Sequence, residues 1–390
     1  MLAKDLLTKE DLDFCVDIRR KIHRRPELGF DLPETVGLVG EELDKMGLSW
    51  TGKYAPCSAV AIVNPEKEGK TLMIRADMDA LPVLEKSGVP FASEIEGRMH
   101  ACGHDAHTAI LLTAGRVLTR IKDKLPCRVM LLFQPSEECE QSGARCMVEN
   151  GVCEGVDYAM TYHCGNEHPT GYLGVVAGDY CAACDPITLT FHGKTAHATL
   201  PENGVDAIQM ALEAWNGMKA IVAEEVGDRK YIFSLGYFHG GTAHNVISDL
   251  CEIKVSFRYY DTQFGKTVRE RSIQLLNEIC AKFGGTVDIN WKTSAPPVIN
   301  DARLTALYER MAEKVAGDNR GDDEVSMGSE DFAWFLTKVP GIATRLGTGN
   351  PSQGPVTMGH TNTYRIDEDA FENGVASVVQ FALDMEELIG

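Results

Sequence analysis

The stretch Thr71-Leu-Met-Ile-Arg-Ala-Asp-Met-Asp79 joins a run of apolar residues to two carboxylates. The apolar run predicts a buried strand, and the aspartates lie where that strand ends. Similar runs alternate with helical patterns along the chain, which predicts an α/β layer with a mixed, mostly parallel sheet and helices on both faces. The predicted strands cover residues 58–63, 71–76, 128–133 and 158–162, and the predicted helices cover residues 8–23, 33–47, 106–121 and 369–388.

The middle third of the chain has a different pattern, in which strands and helices follow one another in the order β-α-β-β-α-β. This order predicts the split βαβ sandwich, a self-sufficient α+β unit of about a hundred residues. Because the α/β pattern resumes afterwards, we interpret residues 184–296 as an inserted domain and residues 1–183 and 297–390 as one discontinuous α/β domain. The strands of the insertion are predicted at residues 185–191, 231–237, 250–259 and 286–291, and its helices at residues 205–223 and 266–283.

Charge and composition exclude several classes of partner. The 390 residues include 38 basic and 57 acidic side chains, and the net charge of −19 repels nucleic-acid phosphates and anionic lipid headgroups. The first residues lack the apolar core and cleavage site of a secretory signal, and no window approaches the roughly 20 apolar residues that cross a bilayer. We therefore expect a cytoplasmic protein that binds neither nucleic acid nor membrane, and whose 12 cysteines are mostly reduced thiols.

Two clusters of side chains carry the first candidate metal ligands. Cys102 and His104 stand two residues apart, so in an extended segment they share a face and can reach one cation together. The alternative is a chance grouping in a glycine-containing turn. Glu137 and Glu138 directly follow an apolar strand, where adjacent carboxylates repel unless a cation or a shared proton holds them. The alternative here is a solvated pair of loop acids.

Two further histidines complete the candidate set, one after a predicted strand and one in a loop rich in glycine and threonine. The five candidate ligands are Cys102, His104, Glu138, His163 and His360. Five ligands are too many for one tetrahedral zinc, and two ions that share a bridging ligand fit better. Glu137, if it is kept off the metal, is suited to take the proton of an activated water. Thiolate and imidazole suit zinc, whereas a set that includes a carboxylate also accepts manganese, cobalt or nickel.

Six motifs, in this order along the chain, resemble those of the aminoacylase/carboxypeptidase amidohydrolases, above all the branch of hippurate hydrolase and indole-acetyl-amino-acid hydrolase. They are His23-Arg-Arg-Pro-Glu-Leu-Gly29, Arg75-Ala-Asp-Met-Asp-Ala-Leu-Pro82, His100-Ala-Cys-Gly-His-Asp105, Gln134-Pro-Ser-Glu-Glu138, Gly240-Gly-Thr-Ala-His-Asn-Val-Ile247 and Met327-Gly-Ser-Glu-Asp-Phe332. The resemblance implies an enzyme that uses two divalent metal ions, manganese or zinc, to cleave the amide bond of N-acyl amino acids or small dipeptide-like amides.

The resemblance also implies roles for individual residues. Cys102 would bridge the two metals, Glu137 would be the general base, and Asp79 would orient a ligand histidine. The inserted domain would be a lid through which two copies form a homodimer. Within the lid, His197 would polarise the scissile carbonyl, in its own site or in that of the other copy, and Asn245 would hold the carboxylate of the substrate.

Two other functions remain open from the sequence alone. In the first, Cys102 is a nucleophile with His104 as its base and no metal is needed, but this leaves the other three candidate ligands unused. In the second, the chain is a small-molecule or peptide-binding protein on a degenerate hydrolase scaffold. Two departures from the family pattern bear on substrate preference: the lid loop Thr195-Ala-His-Ala-Thr199, and Ser248 in place of the usual proline.

Overall fold

The computed structural model describes residues 1–389, and the chain divides into two compact units. Unit 1 comprises Met1–Tyr180, Ile299–Val325 and Asp331–Gly390, and unit 2 comprises Cys181–Val298 and Ser326–Glu330. The last short segment is far from the insertion in sequence, and hydrogen bonds of Tyr260 and Arg258 to its backbone carbonyls hold it within unit 2. The catalytic and lid roles of the two units stay predictions.

Regular elements occupy most of both units. The strands are β1 Trp50–Thr51, β2 Ala59–Val63, β3 Thr71–Asp77, β4 Arg128–Gln134, β5 Tyr158–Pro169, β6 Leu173–Gly174, β7 Gly178–Cys181, β8 Ala183–His192, β9 Ala196–His197, β10 Tyr231–Gly240, β11 Val246–Ile247, β12 Leu250–Tyr259, β13 Thr286–Trp291, β14 Val298–Asn300, β15 Arg320–Gly321 and β16 Gly341–Gly349. The α-helices are α1 Lys9–Arg24, α2 Pro33–Lys45, α3 His104–Arg120, α4 Gly143–Glu149, α5 Ala207–Glu225, α6 Thr262–Phe283, α7 Ala302–Ala316, α8 Ala333–Leu336, α9 Phe371–Asp384 and α10 Glu386–Ile389. Short 3₁₀ helices cover Ala3–Leu6, Lys122–Lys124, Pro201–Asn203, Pro351–Gln353 and Glu368–Ala370.

Unit 1 contains an eight-stranded sheet in the order β1-β2-β4-β3-β5-β16-β6-β15. Its four central strands β4, β3, β5 and β16 pair in parallel. Antiparallel pairs occur towards the edges, between β1, β2 and β4 and between β16 and β6. The sheet is therefore mixed and mostly parallel, as the alternation of strands and helices predicts.

Both faces of the sheet are covered at its centre. Every residue of β3 is buried, and successive side chains of a strand point to opposite faces. One large apolar core joins this strand to the helices, with Ile74 of β3, Ile110 of α3 and Val378 of α9 all inaccessible to solvent. The predicted α/β layer with helices on both faces is confirmed.

The N-terminal helix α1 begins at a capping box. The Thr8 side chain accepts a hydrogen bond from the Asp11 amide at 3.2 Å, and the Asp11 carboxylate accepts one from the Thr8 amide at 3.0 Å. Two nitrogens of Arg120 also donate to Asp11 at 2.7 Å, which attaches α1 to the end of α3. Burial alone would raise the pKa of Asp11, but the hydrogen bonds from Arg120 and Thr8 lower it to about 2.

A buried arginine connects the ends of β3 and β4. The guanidinium of Arg75 donates to Asp77 at 2.6 Å, to Gln134 at 2.8 Å and to Asp331 at 2.8 Å. Gln134 donates in turn to Asp331 at 2.8 Å. Because a buried charge is tolerated only when it is paired, this cluster fixes the relative position of the two strand ends.

Unit 2 has the predicted β-α-β-β-α-β order. Its sheet has the strand order β10-β12-β8-β13, with every neighbouring pair antiparallel. The helices α5 and α6 share a core with this sheet, which includes Leu189, Met218 and Phe257. The strand β10 lies at one edge, and Tyr231, Ile232, Tyr237 and Phe238 on it are each at least 37% exposed.

Among the residues that the structure describes, no helix combines the length and the apolar character that a bilayer span requires.

Candidate metal centre

The candidate site lies where the parallel strands β3 and β4 end. Asp77, the last residue of β3, is paired in register with Gln134, the last residue of β4. On its other side β3 pairs in parallel with β5, and Arg75 of β3 lies opposite Thr161 of β5. Continuing this register by two residues places Asp77 at the level of His163. Open α/β sheets hold their sites at such carboxyl ends. The predicted strand 158–162 is too short, because β5 continues to Pro169 alongside β16, and His163 therefore lies inside it.

The segment from Cys102 to His104 is not extended, and this part of the sequence prediction is wrong. Gly103 has a φ of 99°, and His104 is the first residue of α3. Glycine suits this left-handed position, and a Cβ atom there would lie 3.2 Å from Cβ of Cys164. The turn still directs Cys102 and His104 to one point, since their ligand atoms and that of His163 all lie within 4.8 Å of one another.

The five predicted ligands form two groups that share one residue. Cys102, His104 and His163 make the first group, and Cys102, Glu138 and His360 make the second. Sγ of Cys102 lies 3.4 Å from Nε2 of His163. Oε1 of Glu138 lies 3.9 Å from Nε2 of His104 and 3.1 Å from Nε2 of His360. Each group could hold a cation, and Cys102 is common to both.

Buried atoms without a hydrogen bond support this possibility. Nε2 of His104 and Oε1 of Glu138 are buried, and neither makes a hydrogen bond within the described part of the chain. Each atom does face a group of opposite charge, since Oε1 of Glu138 is 3.1 Å from Nε2 of His360 and Nε2 of His104 is 3.6 Å from Oδ2 of Asp77. Because a buried polar atom that makes no hydrogen bond is costly, a cation bound by both atoms would be favourable here.

The candidate ligands differ in protonation state. Burial would lower the pKa of His104, but Asp77 raises it well above its ordinary value, and Glu138 raises the pKa of His360, so cation binding at these two rings would displace protons. Burial, with the neighbouring His107 and Arg345, holds the pKa of His163 well below its ordinary value, so the ring is neutral. Burial would raise the pKa of Glu138, but His360 and His104 lower it and keep the carboxylate ionised. Burial raises the pKa of the Cys102 thiol well above its usual range, so cation binding there would release a proton.

Asp79 organises the loop that carries the two glutamates. Its Oδ1 accepts the Glu137 amide at 2.9 Å, and its Oδ2 accepts the Glu138 amide at 3.0 Å. Nδ1 of His104 is 2.8 Å from the Asp79 backbone oxygen and 3.4 Å from its carboxylate. The backbone of Asp79 thus orients the histidine, whereas its side chain orients the acidic pair, a division that the sequence did not predict.

His107 and Asp77 have no role among the predicted ligands, yet their polar atoms are hydrogen-bonded within the protein. Nδ1 of His107 lies 2.6 Å from Asp77, and its Nε2 accepts the Cys164 amide at 2.8 Å. With both ring nitrogens occupied, His107 supports the site and is not available as a ligand. The signal in the sequence was the position of Asp77 at the end of a buried strand.

Residues near the N-terminus contact the neighbours of His104 and Asp79. The Asp105 carboxylate, one residue after His104, lies 2.8 Å from Nε of Arg19 and 2.8 Å from Nδ1 of His23. The backbone oxygen of Glu27 accepts the Ala80 amide at 2.8 Å, next to Asp79. Within the first motif, His23 and the backbone of Glu27 thus contact residues next to His104 and Asp79.

Glu137 lies beside the candidate ligands. Its carboxylate is within 4.8 Å of ligand atoms of both His104 and Glu138. In unit 2, one of the other two predicted site residues lies on a short two-stranded sheet and the other directly precedes it. His197 of β9 is paired with Val246 of β11, and the Ala198 amide donates to the Asn245 backbone oxygen at 3.0 Å. His197 and Asn245 are both exposed.

Comparison with known proteins gives consistent matches. Residues 73–384 match the family model of peptidase family M20/M25/M40. The chain is 33% identical over 379 residues to thermostable carboxypeptidase 2 of Saccharolobus solfataricus, which covers 96% of each chain. It is 34% identical over 356 residues to N-acetyl-L-cysteine deacetylase of Bacillus subtilis, covering 91% of this chain and 84% of that one. A Bacillus subtilis crystal structure, described as a dinuclear metal-binding peptidase of the M20 family, superposes with a TM-score of 0.83 and 28% identity, covering 97% of this chain and 99% of the other.

Replacing Asp79 by asparagine should weaken metal binding by about tenfold to a hundredfold, because an amide cannot accept both loop N–H groups that position Glu138. The measurement is equilibrium dialysis of the metal-free protein against zinc or manganese. Asp179→Asn, at an exposed position of β7, is the matched control and should bind as the wild type does. Unchanged affinity in Asp79→Asn would show that the loop is positioned without this carboxylate.

Proposed function

The chain belongs to peptidase family M20/M25/M40, and we propose that it is a dinuclear metal-dependent amidohydrolase that cleaves the amide bond of N-acyl amino acids or small dipeptide-like amides. Membership confirms the resemblance drawn from the six sequence motifs, and with it the expectation that the chain is a hydrolase. The observation that carries the proposal is the pair of ligand groups that share Cys102. The deacetylase and carboxypeptidase names of two relatives support the substrate class.

The proposed cofactors are two divalent cations per subunit, manganese or zinc, with cobalt or nickel as further possibilities. Cys102 would lie between them, with His104, His163, Glu138 and His360 as the remaining ligands. When bound, such cations lower the pKa of water towards neutrality and polarise the scissile carbonyl.

Glu137 is proposed as the general base. Its carboxylate lies beside the ligand atoms, and Asp79 holds its amide in place. In this role it removes the proton from the attacking water as the new C–O bond forms. It then delivers that proton to the amine nitrogen as the C–N bond breaks, so the base is regenerated in each turnover. Glu138, one residue further on, is committed to the cluster of His104 and His360 and is the poorer candidate.

His197 and Asn245 are proposed to complete the site, with His197 stabilising the oxyanion and Asn245 holding the carboxylate of the substrate. His197 lies on β9 and Asn245 directly precedes the paired strand β11, with its backbone oxygen hydrogen-bonded to the Ala198 amide, and this supports joint action because it limits the separation of the two residues. Nδ1 of His197 lies 2.8 Å from the hydroxyl of Thr199, a residue that departs from the family pattern. This contact leaves Nε2 as the nitrogen available to a substrate.

A homodimer through unit 2 is proposed from its exposed edge. The strand β10 pairs only with β12 in the described sheet and carries four exposed aromatic or aliphatic side chains. Long exposed edges favour pairing with another chain, and a second copy would bury this one symmetrically. A cytoplasmic location also stays a prediction.

The two alternative functions are less well supported. Burial raises the pKa of the Cys102 thiol well above its ordinary value, which opposes a metal-free thiolate nucleophile. A degenerate binding scaffold would be expected to lack a ligand or the base, and all five ligand positions and Glu137 are filled.

A chelator should abolish hydrolysis of a panel of N-acyl amino acids and dipeptides, and added manganese, zinc or cobalt should restore it, because the attacking water depends on bound metal. Metal content and initial rates are measured on the same samples. Full activity in protein shown to be metal-free would favour the Cys102 nucleophile.

Glu137→Gln should retain both metals and lose at least about a hundredfold in turnover, since the amide cannot accept the proton of the water. Glu140→Gln, an exposed acid on the same loop, is the matched control and should keep wild-type rates. Turnover is followed by release of the free amino acid, and metal content by elemental analysis. If Glu137→Gln loses metal instead, the roles of Glu137 and Glu138 are exchanged.

His197→Ala should lower turnover by roughly 10²–10³ without loss of metal, as expected for removal of an oxyanion contact. Mixing it with Glu137→Gln tests whether the histidine acts across a dimer: active heterodimers require that each site borrow His197 from the other copy. No recovery after verified subunit exchange would confine His197 to its own subunit. A wild-type rate in the single variant would remove it from the mechanism.

A further inference from the structure

Of the five candidate ligands, His360 is the most exposed. It lies outside the helices and strands, is 58% exposed, and has a φ of 65°. This left-handed conformation is disfavoured for a residue with a Cβ atom, so contacts from outside must maintain it. One such contact is the hydrogen bond from the His360 amide to the Ala101 backbone oxygen, at 2.7 Å.

A second contact comes from the long loop of residues 82–98. The loop contains no helix or strand, and an antiparallel bridge between Leu81 and Met99 closes its base. From within it, the Lys86 amide donates to the Asn362 backbone oxygen at 2.6 Å, two residues after His360. Long compact loops of this kind are commonly functional, and this one is hydrogen-bonded to the segment that carries a candidate ligand.

Glu85 holds this loop together. Its carboxylate is only 5% exposed, and its Oε2 accepts the Ser93 amide at 2.6 Å. Its Oε1 accepts a hydrogen bond from the Ser87 hydroxyl and lies 3.2 Å from Nε2 of His23 on α1. One side chain therefore joins both arms of the loop and attaches them to a helix.

His23 makes this attachment relevant to the site. Its Nδ1 lies 2.8 Å from the carboxylate of Asp105, which directly follows His104. The same imidazole is thus in contact with the residue next to one ligand and with the loop that supports the segment of another. The path from His104 to His360 runs through Asp105, His23 and Glu85, and then through the Lys86 amide.

We infer that Glu85 is a positioning residue for His360: by fixing the loop of residues 82–98 against His23, it holds the Lys86 amide on the segment that presents this histidine to one of the two metals. The inference rests on the proposed function, because it presupposes that His360 is a ligand. It predicts that Glu85 affects the affinity of only one of the two metal sites, the site that contains His360. A residue that merely stabilises the fold would have no such selectivity.

The test is a metal titration of the metal-free protein with zinc, monitored by competition with a chromophoric chelator. The Glu85 carboxylate accepts hydrogen bonds from Ser87 and Ser93 through its two oxygens. In Glu85→Gln one oxygen is replaced by an NH₂ group, which cannot accept a hydrogen bond, so at least one loop contact is lost. We expect one of the two zinc sites to weaken by about tenfold to a hundredfold and the other to keep its wild-type affinity. The matched control is Glu94→Gln, an acid of the same loop that is 58% exposed, which should match the wild type at both sites.

A double-mutant comparison identifies the route of the effect. If Glu85 acts through His360, Glu85→Gln should change nothing further at the weak site in a His360→Ala background. An equal loss at both sites, no loss at either, or an additive loss in the double variant would overturn the inference. A wild-type protein that does not bind two zinc ions would instead refute the proposed function, so the two failures are distinct.

A second pair of variants keeps the test decisive if Glu85→Gln does not fold. Lys86→Pro removes the amide that donates to Asn362, whereas Lys86→Ala keeps it and removes only the side chain. The proline variant should weaken the same single zinc site and the alanine variant should not. Equal behaviour of the two variants would overturn the inference.

Discussion

Parallel pairing of β3 with both β4 and β5 is the constraint on which the site depends. It places Asp77 beside Gln134 and at the level of His163, and the loop with Glu137 and Glu138 continues from the same edge. A shift of one residue would turn each side chain to the opposite face of the sheet. The buried cluster of Arg75, which joins the two strand ends, opposes such a shift, because a shift would break its hydrogen bonds.

Three turns with left-handed backbone geometry bring the candidate ligands together near the carboxyl ends of the parallel strands. Gly103 separates Cys102 from His104 with a φ of 99°, Ser136 precedes the acidic pair with a φ of 56°, and His360 has a φ of 65°. Left-handed conformations of residues other than glycine are disfavoured and persist only where surrounding contacts impose them. Ser136 meets this condition, because its hydroxyl donates to the Gln141 backbone oxygen at 2.7 Å and its own carbonyl accepts the Gly143 amide at 2.8 Å.

The cluster contains buried polar atoms that make no hydrogen bond within the described part of the chain. An ionised Glu138 and a fully buried Asp77 lie among three imidazoles and a thiol, and two buried atoms of the set have no hydrogen bond in the described chain. Stability alone would favour apolar replacements or fully paired polar groups at such positions. The unpaired atoms are therefore better explained by function, and the supporting contacts from Asp79, His107 and Arg75 hold them in place.

The sequence by itself determined the order of the elements and the identity of the candidate ligands. Buried parallel strands appear as apolar runs, and in such sheets the chemically active residues follow the strand ends, so Asp79, Glu137 and Glu138 could be found from local pattern. The use of each group was decided only by tertiary structure. The Asp79 carboxylate binds two loop amides, His107 is saturated by Asp77 and Cys164, and His23 reaches both Asp105 and Glu85. These contacts join residues that are far apart in the chain, and their geometry depends on strand register and helix placement, which no local pattern records.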